Sequence, residues 1–259
     1  MEASAWPSKQ WTTISTILIQ LKSTVDLKPK LKQQNHIERK FLMSLYNNLA
    51  ALRVKYAKIL KPGFGAIMDG HIEALRADGT MENIIKVGEK APSFKLKNGL
   101  GQVVSSEELL KRGPLVVSFY RGSWCPYCVE EVKALNQSYA EIKATGAELV
   151  VISPQGFSHT EKQQKDLELD YSLLVDENNS VGKAFRLTYS FPADLKDLYL
   201  NTFKNDLAKH NESSTWELPI PARIVIDQQG IVRDVKADPD YRSRPEATDS
   251  VEVLRRLEQ

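Results

Sequence analysis

Cys125 and Cys128 are the two cysteines of this chain, and their spacing suits redox chemistry. They follow an apolar, β-branched run at residues 115–119 that predicts a buried strand, and they precede a run with helical periodicity. Two cysteines at this spacing at the start of a helix come within disulfide distance, and the free N–H groups of the first turn favour a thiolate on the first sulfur. Pro126 suits the first helical position, where no N–H donor is needed. The pattern predicts that Cys125 is an exposed nucleophile and that Cys128 closes a disulfide with it.

Two other interpretations of the cysteine pair fit less well. A structural zinc ion would need two more ligands, and the four histidines show no pairing at the spacing of zinc sites. Inert buried cysteines are plausible for one isolated cysteine, but less so for two that flank Pro126 and Tyr127 at a strand-to-helix junction. We therefore expect a dithiol redox site with no metal and no organic cofactor.

Composition and charge narrow the class of protein. Of the 259 residues, 42% are apolar and 26% are charged, which is typical of a globular protein. The 35 lysines and arginines nearly balance the 33 acidic residues, and a net charge of +2 provides no strong field for nucleic acid or an anionic membrane. No run approaches the roughly 20 apolar residues of a membrane helix, and we expect no signal peptide in residues 1–20. With so few cysteines we expect a reducing compartment, most simply the cytoplasm.

Two regions of the chain differ in periodicity. Residues 1–85 carry apolar positions at spacings of three and four, which predict an all-helical N-terminal extension in which Pro62 ends a helix. Residues 86–259 alternate β-rich and helical runs, which indicates an α/β domain with a helical insertion at about residues 190–216. The N-terminal helices would cover the main domain, form a homodimer interface or act as a lid.

Several blocks of the α/β region resemble one protein family. They are residues 87–94, the cysteine segment at residues 121–128, Ile152-Ser153-Pro154, and Leu218-Pro219-Ile220-Pro221-Ala222 followed by Ile226-Asp227. Their order and content resemble the alkyl hydroperoxide reductase C/thiol-specific antioxidant (AhpC/TSA) family of the thioredoxin superfamily, and especially its peroxiredoxin-like branch with a Cys-x-x-Cys site. The resemblance covers about residue 85 to the C-terminus. It implies a thioredoxin-like fold, in which helices flank a central mixed sheet.

The resemblance also implies a reaction. Cys125 would attack a hydroperoxide, become a sulfenic acid and condense with Cys128 to a disulfide, which a thioredoxin-, glutaredoxin- or glutathione-type thiol would reduce. Pro221 stands where thioredoxin-like reductases carry a cis-proline, so a cis peptide bond is expected between Ile220 and Pro221.

Further side chains are assigned to substrate binding by the same resemblance. Trp124, Pro126 and Tyr127 would form the apolar wall of the site. Arg121 or Arg223 would supply the guanidinium group that stabilises the thiolate or polarises the peroxide. A surface or structural role is the alternative for each arginine, and it is the preferred one for Arg223.

Three positions depart from the typical peroxiredoxin pattern and keep other functions open. Gly122 stands where the family has Thr or Ser, Ser118 where it has Pro, and Pro221 where it brings an Arg to the peroxide. The alternative function is a general thiol-disulfide oxidoreductase that acts on protein or small-molecule disulfides. A third hypothesis is that the N-terminal helices form a binding module whose association the redox site regulates.

Overall fold

The computed structural model of the protein describes residues 44–258. The helices in chain order are α1 (Leu45–Ile59), α2 (Pro62–Ala77), α3 (Thr80–Asn83), α4 (Ser106–Leu110), α5 (Pro126–Gln137), α6 (Tyr139–Ala144), α7 (Phe157–Asp166), α8 (Ser180–Ala184), α9 (Ala193–Asp197), α10 (Leu207–His210) and α11 (Ala247–Leu257). The strands are β1 (Lys95–Asn98), β2 (Val103–Ser105), β3 (Leu115–Phe119), β4 (Glu148–Ser153), β5 (Ser172–Val175), β6 (Thr188–Ser190), β7 (Glu217–Pro219), β8 (Ala222–Ile226) and β9 (Val232–Ala237). A 3₁₀ turn at Glu177–Asn179 and a π-helical turn at Leu198–Thr202 complete the elements.

A seven-stranded mixed sheet forms the centre of the fold, in the order β2-β1-β5-β4-β3-β8-β9. β3 is parallel to β4, and β4 is parallel to β5, with helices in the connections that parallel pairing requires. β8 and β9 form an antiparallel hairpin that pairs with the other edge of β3. The predicted mixed sheet flanked by helices is confirmed.

The sheet has an apolar cluster on each face. β3 is buried at all five positions. Val116 belongs to one cluster, together with Cys128 and Val132 of α5. Leu115 and Val117 belong to the other cluster, because successive strand side chains point to opposite faces. Burial on both faces explains why four of the five residues of this strand are apolar, with Ser118 as the exception.

The described N-terminal helices pack on the α/β domain. Leu45 and Leu49 of α1 are buried in the cluster that contains Cys128, and Met68 of α2 packs with residues of the segment after β6. Pro62, which the sequence analysis expects to end a helix, is also the first residue of α2. A proline is tolerated there because no N–H donor is needed in the first turn of a helix. The remainder of the predicted extension, residues 1–43, lies outside the described residues.

Several short helical elements lie within residues 190–216, where the sequence analysis expects a helical insertion. The segment contains α9, the π-helical turn and α10, and it lies between β6 and β7, which pair with each other apart from the main sheet. This segment carries Tyr199 into the neighbourhood of the cysteines. Among the described residues, no helix has the length and apolar character to cross a membrane.

Candidate active site

The cysteines lie at the junction of β3 and α5, as the sequence predicts. Cys125 is the N-cap residue of α5, Pro126 occupies the first turn, and the Val129 N–H donates to the Cys125 carbonyl at 3.1 Å. Both cysteines are free thiols. Cys128 is fully buried, but the prediction that Cys125 is exposed is wrong, because only 2% of it is accessible. Cys125 belongs to the same apolar cluster as Tyr127, against which Trp124 also packs.

The Cys125 sulfur is poised as a thiolate. Burial by itself raises the pKa of this thiol, but a hydrogen bond from the Cys128 thiol and the positive charges of Arg121 and Arg244 lower the pKa to about 6. The thiolate is therefore the major form above a pH of about 6, and it is lost as the pH falls through that value. The nucleophile of a thiol reaction is the thiolate, so this environment agrees with the prediction that Cys125 is the attacking sulfur of the pair.

Cys128 has the opposite character. Its burial, its hydrogen bond to Cys125 and the negative charge of Cys125 raise its pKa well above the ordinary thiol value, while Arg244 and Arg121 oppose this shift. Cys128 therefore keeps its proton while Cys125 is a thiolate. Of the two sulfurs at this helix end, Cys128 holds the proton and Cys125 carries the negative charge.

Arg121 is fully buried in an aromatic cage beside Cys125. Its guanidinium carbon lies 4.0 Å from the ring centre of Tyr241 and 4.8 Å from that of Trp124. Its Nη2 donates to the Tyr199 hydroxyl at 2.6 Å. Its Nε and Nη1, although buried, have no hydrogen-bond partner in the described part of the chain. Two donors of a permanent cation thus remain available next to the nucleophile.

Arg223 is buried and hydrogen-bonded within the fold. On β8 it lies opposite Ser118 of β3, and its side chain is 1% exposed. Its Nη2 donates to the Glu131 carboxylate at 2.8 Å and its Nη1 to the Glu246 carbonyl at 2.7 Å. Of the two interpretations of this arginine, the structural one agrees with these contacts.

The predicted cis peptide bond at Pro221 is wrong, because no peptide bond among residues 44–258 is cis. Ile220 donates its N–H to the Leu187 carbonyl at 2.6 Å, and Ala222 already pairs with Phe119. The Ile220–Pro221 peptide bond links these two β pairings and is trans. The trans form is the one that X-Pro bonds favour, by about 0.5–1 kcal/mol.

Arg244 is the site residue that sequence reasoning missed. Its Nη2 lies 3.4 Å from the Cys128 sulfur, and its Nε donates to the Glu131 carboxylate at 2.6 Å. It precedes α11 in a segment, residues 238–244, whose charges fit turn and helix-entry residues as readily as a substrate rim. Only the packing of this segment against α5 brings Arg244 to the cysteines, 116 positions away in sequence.

Cys125 lines a cleft of about 890 Å³, within the usual range of small-molecule sites. The predicted site residues Arg121, Trp124, Pro126 and Tyr127 also line it, whereas Arg223 does not. Its other walls come from α1, α2, the π-helical turn and the loop before α11, through Tyr56, Leu60, Gly65, Met68, Tyr199, Phe203 and Tyr241. Most of these side chains are apolar or aromatic, and charged or polar side chains line the rest of the cleft: Arg53, Lys61, Asp69, Lys204, Asn205 and Arg242. No cluster of metal-ligating side chains occurs within residues 44–258.

Comparison with known proteins identifies the family. The model of the AhpC/TSA family matches residues 87–235, more than half of the chain. The chain belongs to the AhpC/TSA family. Within the AhpC/TSA family it is 34% identical over 111 residues to the chloroplastic peroxiredoxin Q of Oryza sativa subsp. japonica, which is 43% of this chain and 49% of that protein. The match thus spans about half the length of such curated relatives.

Solved structures support the AhpC/TSA fold. Peroxidoxin BcpB from Mycobacterium tuberculosis superposes with a TM-score of 0.53 at 22% identity, over 67% of this chain and 98% of that one. AhpC from the same organism superposes with a TM-score of 0.51 at 15% identity, over 68% of this chain and 94% of that one. At these identities the similarity establishes the thioredoxin-like fold, and the chemistry of this AhpC/TSA protein must be argued from its own residues.

Proposed function

We propose that this protein is a thiol peroxidase that reduces organic hydroperoxides through a disulfide between Cys125 and Cys128. The observation that carries the proposal is the placement of the Cys125 thiolate beside the unpartnered donors of Arg121 in an apolar cleft. The thiolate provides the nucleophile, and the guanidinium group can bind the peroxide oxygens as charge moves onto the leaving oxygen. Membership of the AhpC/TSA family and similarity to a protein named peroxiredoxin Q support this assignment.

The reaction proceeds in two steps at the sulfurs. The Cys125 thiolate attacks the terminal peroxide oxygen, the O–O bond breaks, and Cys125 becomes a sulfenic acid while the alkoxide takes up a proton and leaves as an alcohol. The Cys128 sulfur then attacks the Cys125 sulfur and displaces the hydroxyl group as hydroxide, which forms the disulfide. The two thiols supply the two electrons that the hydroperoxide accepts.

Stopped-flow mixing of the reduced protein with cumene hydroperoxide, and separately with a small aromatic disulfide, tests the function. The readout is loss of free thiol, followed in parallel by the fluorescence of Trp124 and the other tryptophans. We expect hydroperoxide to oxidise Cys125 at least about 100-fold faster than it oxidises free cysteine, because the site adds a positioned guanidinium to a thiolate. Oxidation no faster than that of free cysteine, together with fast reaction of the disulfide, would favour the thiol-disulfide oxidoreductase.

The cleft is expected to select hydroperoxides that carry an apolar body. Gly65 of α2 lines it, and a Cβ atom at this glycine meets nothing within 4 Å. Gly65→Phe fills this space, so we expect kcat/KM for cumene hydroperoxide to fall about 10-fold while that for hydrogen peroxide changes less than about twofold. Gly65→Ala, which adds one methyl group, is the matched control. Equal loss for both substrates in Gly65→Phe would argue against binding in this cleft.

The reductant, the assembly and the compartment are parts of the same proposal. A thioredoxin-, glutaredoxin- or glutathione-type thiol would reopen the disulfide, and the cytoplasm would supply it. The near-balance of charge and the low cysteine content support this setting. A homodimer through the N-terminal helices stays a prediction, because much of that extension lies outside the described residues.

A further inference from the structure

Arg244 lies against the resolving sulfur and is held there from three sides. Its Nη2 donates to the Cys128 sulfur at 3.4 Å, its Nε to the Glu131 carboxylate at 2.6 Å, and its Nη1 to the Ser243 carbonyl at 2.8 Å. Only 1% of its side chain is exposed. All three nitrogens of the guanidinium group are thus engaged, which fixes the position of the charge.

The cluster around Glu131 carries a positive charge in excess. Glu131 forms ion pairs with both Arg223 and Arg244, and all three side chains are at most 2% exposed. Two guanidinium groups therefore face one carboxylate. The charge that remains lies next to Cys128, where burial reduces its screening by solvent.

The oxidation state of Cys125 controls the electrostatic environment of Cys128. Burial, the hydrogen bond to Cys125 and the negative charge of Cys125 all oppose ionisation of Cys128. The positive charges of Arg244 and Arg121 favour its ionisation. Conversion of the Cys125 thiolate into a neutral sulfenic acid removes the negative charge. The two arginines then face Cys128 with no competing anion on the neighbouring sulfur.

We propose that Arg244, held in place by Glu131, stabilises the negative charge of Cys128 after Cys125 is oxidised, and so keeps Cys128 as the thiolate that closes the disulfide. This inference rests on the proposed function. In the step, the Cys128 proton passes to the alkoxide released from the hydroperoxide, which leaves as an alcohol. The Cys128 thiolate attacks the sulfenic sulfur, the S–O bond breaks, and hydroxide departs. The negative charge of the site thus moves from Cys125 to Cys128 and then to hydroxide.

Other titratable groups near Cys128 do not compete for this charge. Tyr120, Tyr189 and Tyr199 are buried, and their burial raises the pKa of each phenol above its ordinary value. They stay neutral at physiological pH. Resolution is thereby restricted to the oxidised enzyme, because Cys128 is a poor nucleophile for as long as Cys125 keeps its thiolate.

Titration of Cys128 in a Cys125→Ser background tests the inference without any peroxide. The serine is neutral, as the sulfenic acid is, and thiolate absorbance near 240 nm reports the one remaining cysteine. We expect a midpoint below the value of about 8.5 for a free thiol. Arg244→Gln in this background should raise the midpoint by at least about one pH unit, a tenfold loss of thiolate at neutral pH, and Arg244→Lys should restore part of the shift.

Arg233→Gln is the matched control, since Arg233 forms an ion pair with Asp227 outside the cysteine cluster. It should leave the midpoint unchanged. A midpoint above about 9 with Arg244 intact would overturn the inference even if Arg244→Gln failed to fold, and so would an unshifted midpoint in folded Arg244→Gln. Because the titration uses no hydroperoxide, a protein inactive toward peroxides would refute the proposed function and leave this result interpretable.

Discussion

We expect Cys125→Ser to lower kcat/KM for hydroperoxide by about 10³-fold or more, and Cys128→Ser to retain one turnover for each protein molecule. The first substitution removes the thiolate that attacks the peroxide, and a serine hydroxyl cannot be oxidised in its place. The second leaves this nucleophile beside Arg121 and removes only the sulfur that resolves the sulfenic acid. The measurement is hydroperoxide consumed per protein, with a sulfenic-acid probe to trap the product on Cys125.

The pair of variants separates nucleophile from resolving residue. In Cys128→Ser the hydrogen bond that the Cys128 thiol gives to Cys125 is also changed, so a modest slowing of the first step is expected. Full multiple-turnover activity in Cys128→Ser would show that an external thiol resolves Cys125. Activity in Cys125→Ser equal to that of the unaltered protein would contradict the assigned nucleophile.

Glu131→Gln is expected to be the most destabilising of the substitutions considered, with a loss of about 3 kcal/mol in the free energy of unfolding. The change removes the carboxylate charge that Arg223 and Arg244 share at 2.8 and 2.6 Å and leaves two guanidinium groups buried without a counter-ion. Urea denaturation followed by circular dichroism measures the loss. For a domain of this size it corresponds to a melting temperature about 6–12 °C lower.

The neighbouring residue on α5 provides the control for Glu131. Glu130 carries the same side chain, but its ion pair with Lys133 is at the surface, where such pairs contribute at most about 1 kcal/mol. Glu130→Gln should therefore cost about 1 kcal/mol or less. Equal stability of the two variants would show that the Glu131 cluster does not stabilise the fold, and it would also weaken the case for a clamped Arg244.

Local patterns in the sequence predicted the elements that carry the site. Residues 115–119 form the strand expected from a mostly apolar, β-branched run, and Cys125 caps the helix that Pro126 begins. Short helical elements also occur at residues 190–216, where the sequence analysis expects a helical insertion. These features depend on alternation, turn residues and capping, which act over a few residues and can therefore be read from a single chain.

Other predictions failed because they depend on packing between distant segments. Cys125 is buried in an apolar cluster and not exposed as expected, and the bond before Pro221 is trans and not cis. Arg244 gave no local signal, since an arginine before a helix has the same pattern whether it faces solvent or a sulfur. Tyr199 and Tyr241, which enclose Arg121, come from two further segments with no motif of their own.

The sequence alone therefore determined the chemistry that is available, a Cys-x-x-Cys pair at a helix start, because spacing and helix capping are local, whereas the thioredoxin-like sheet was implied by the family resemblance. The tertiary structure decided how the surroundings of Cys125 favour its thiolate, which arginines face the pair and how large the cleft is. Those properties arise from burial and from charges that reach across the fold, between residues as far apart as Cys128 and Arg244.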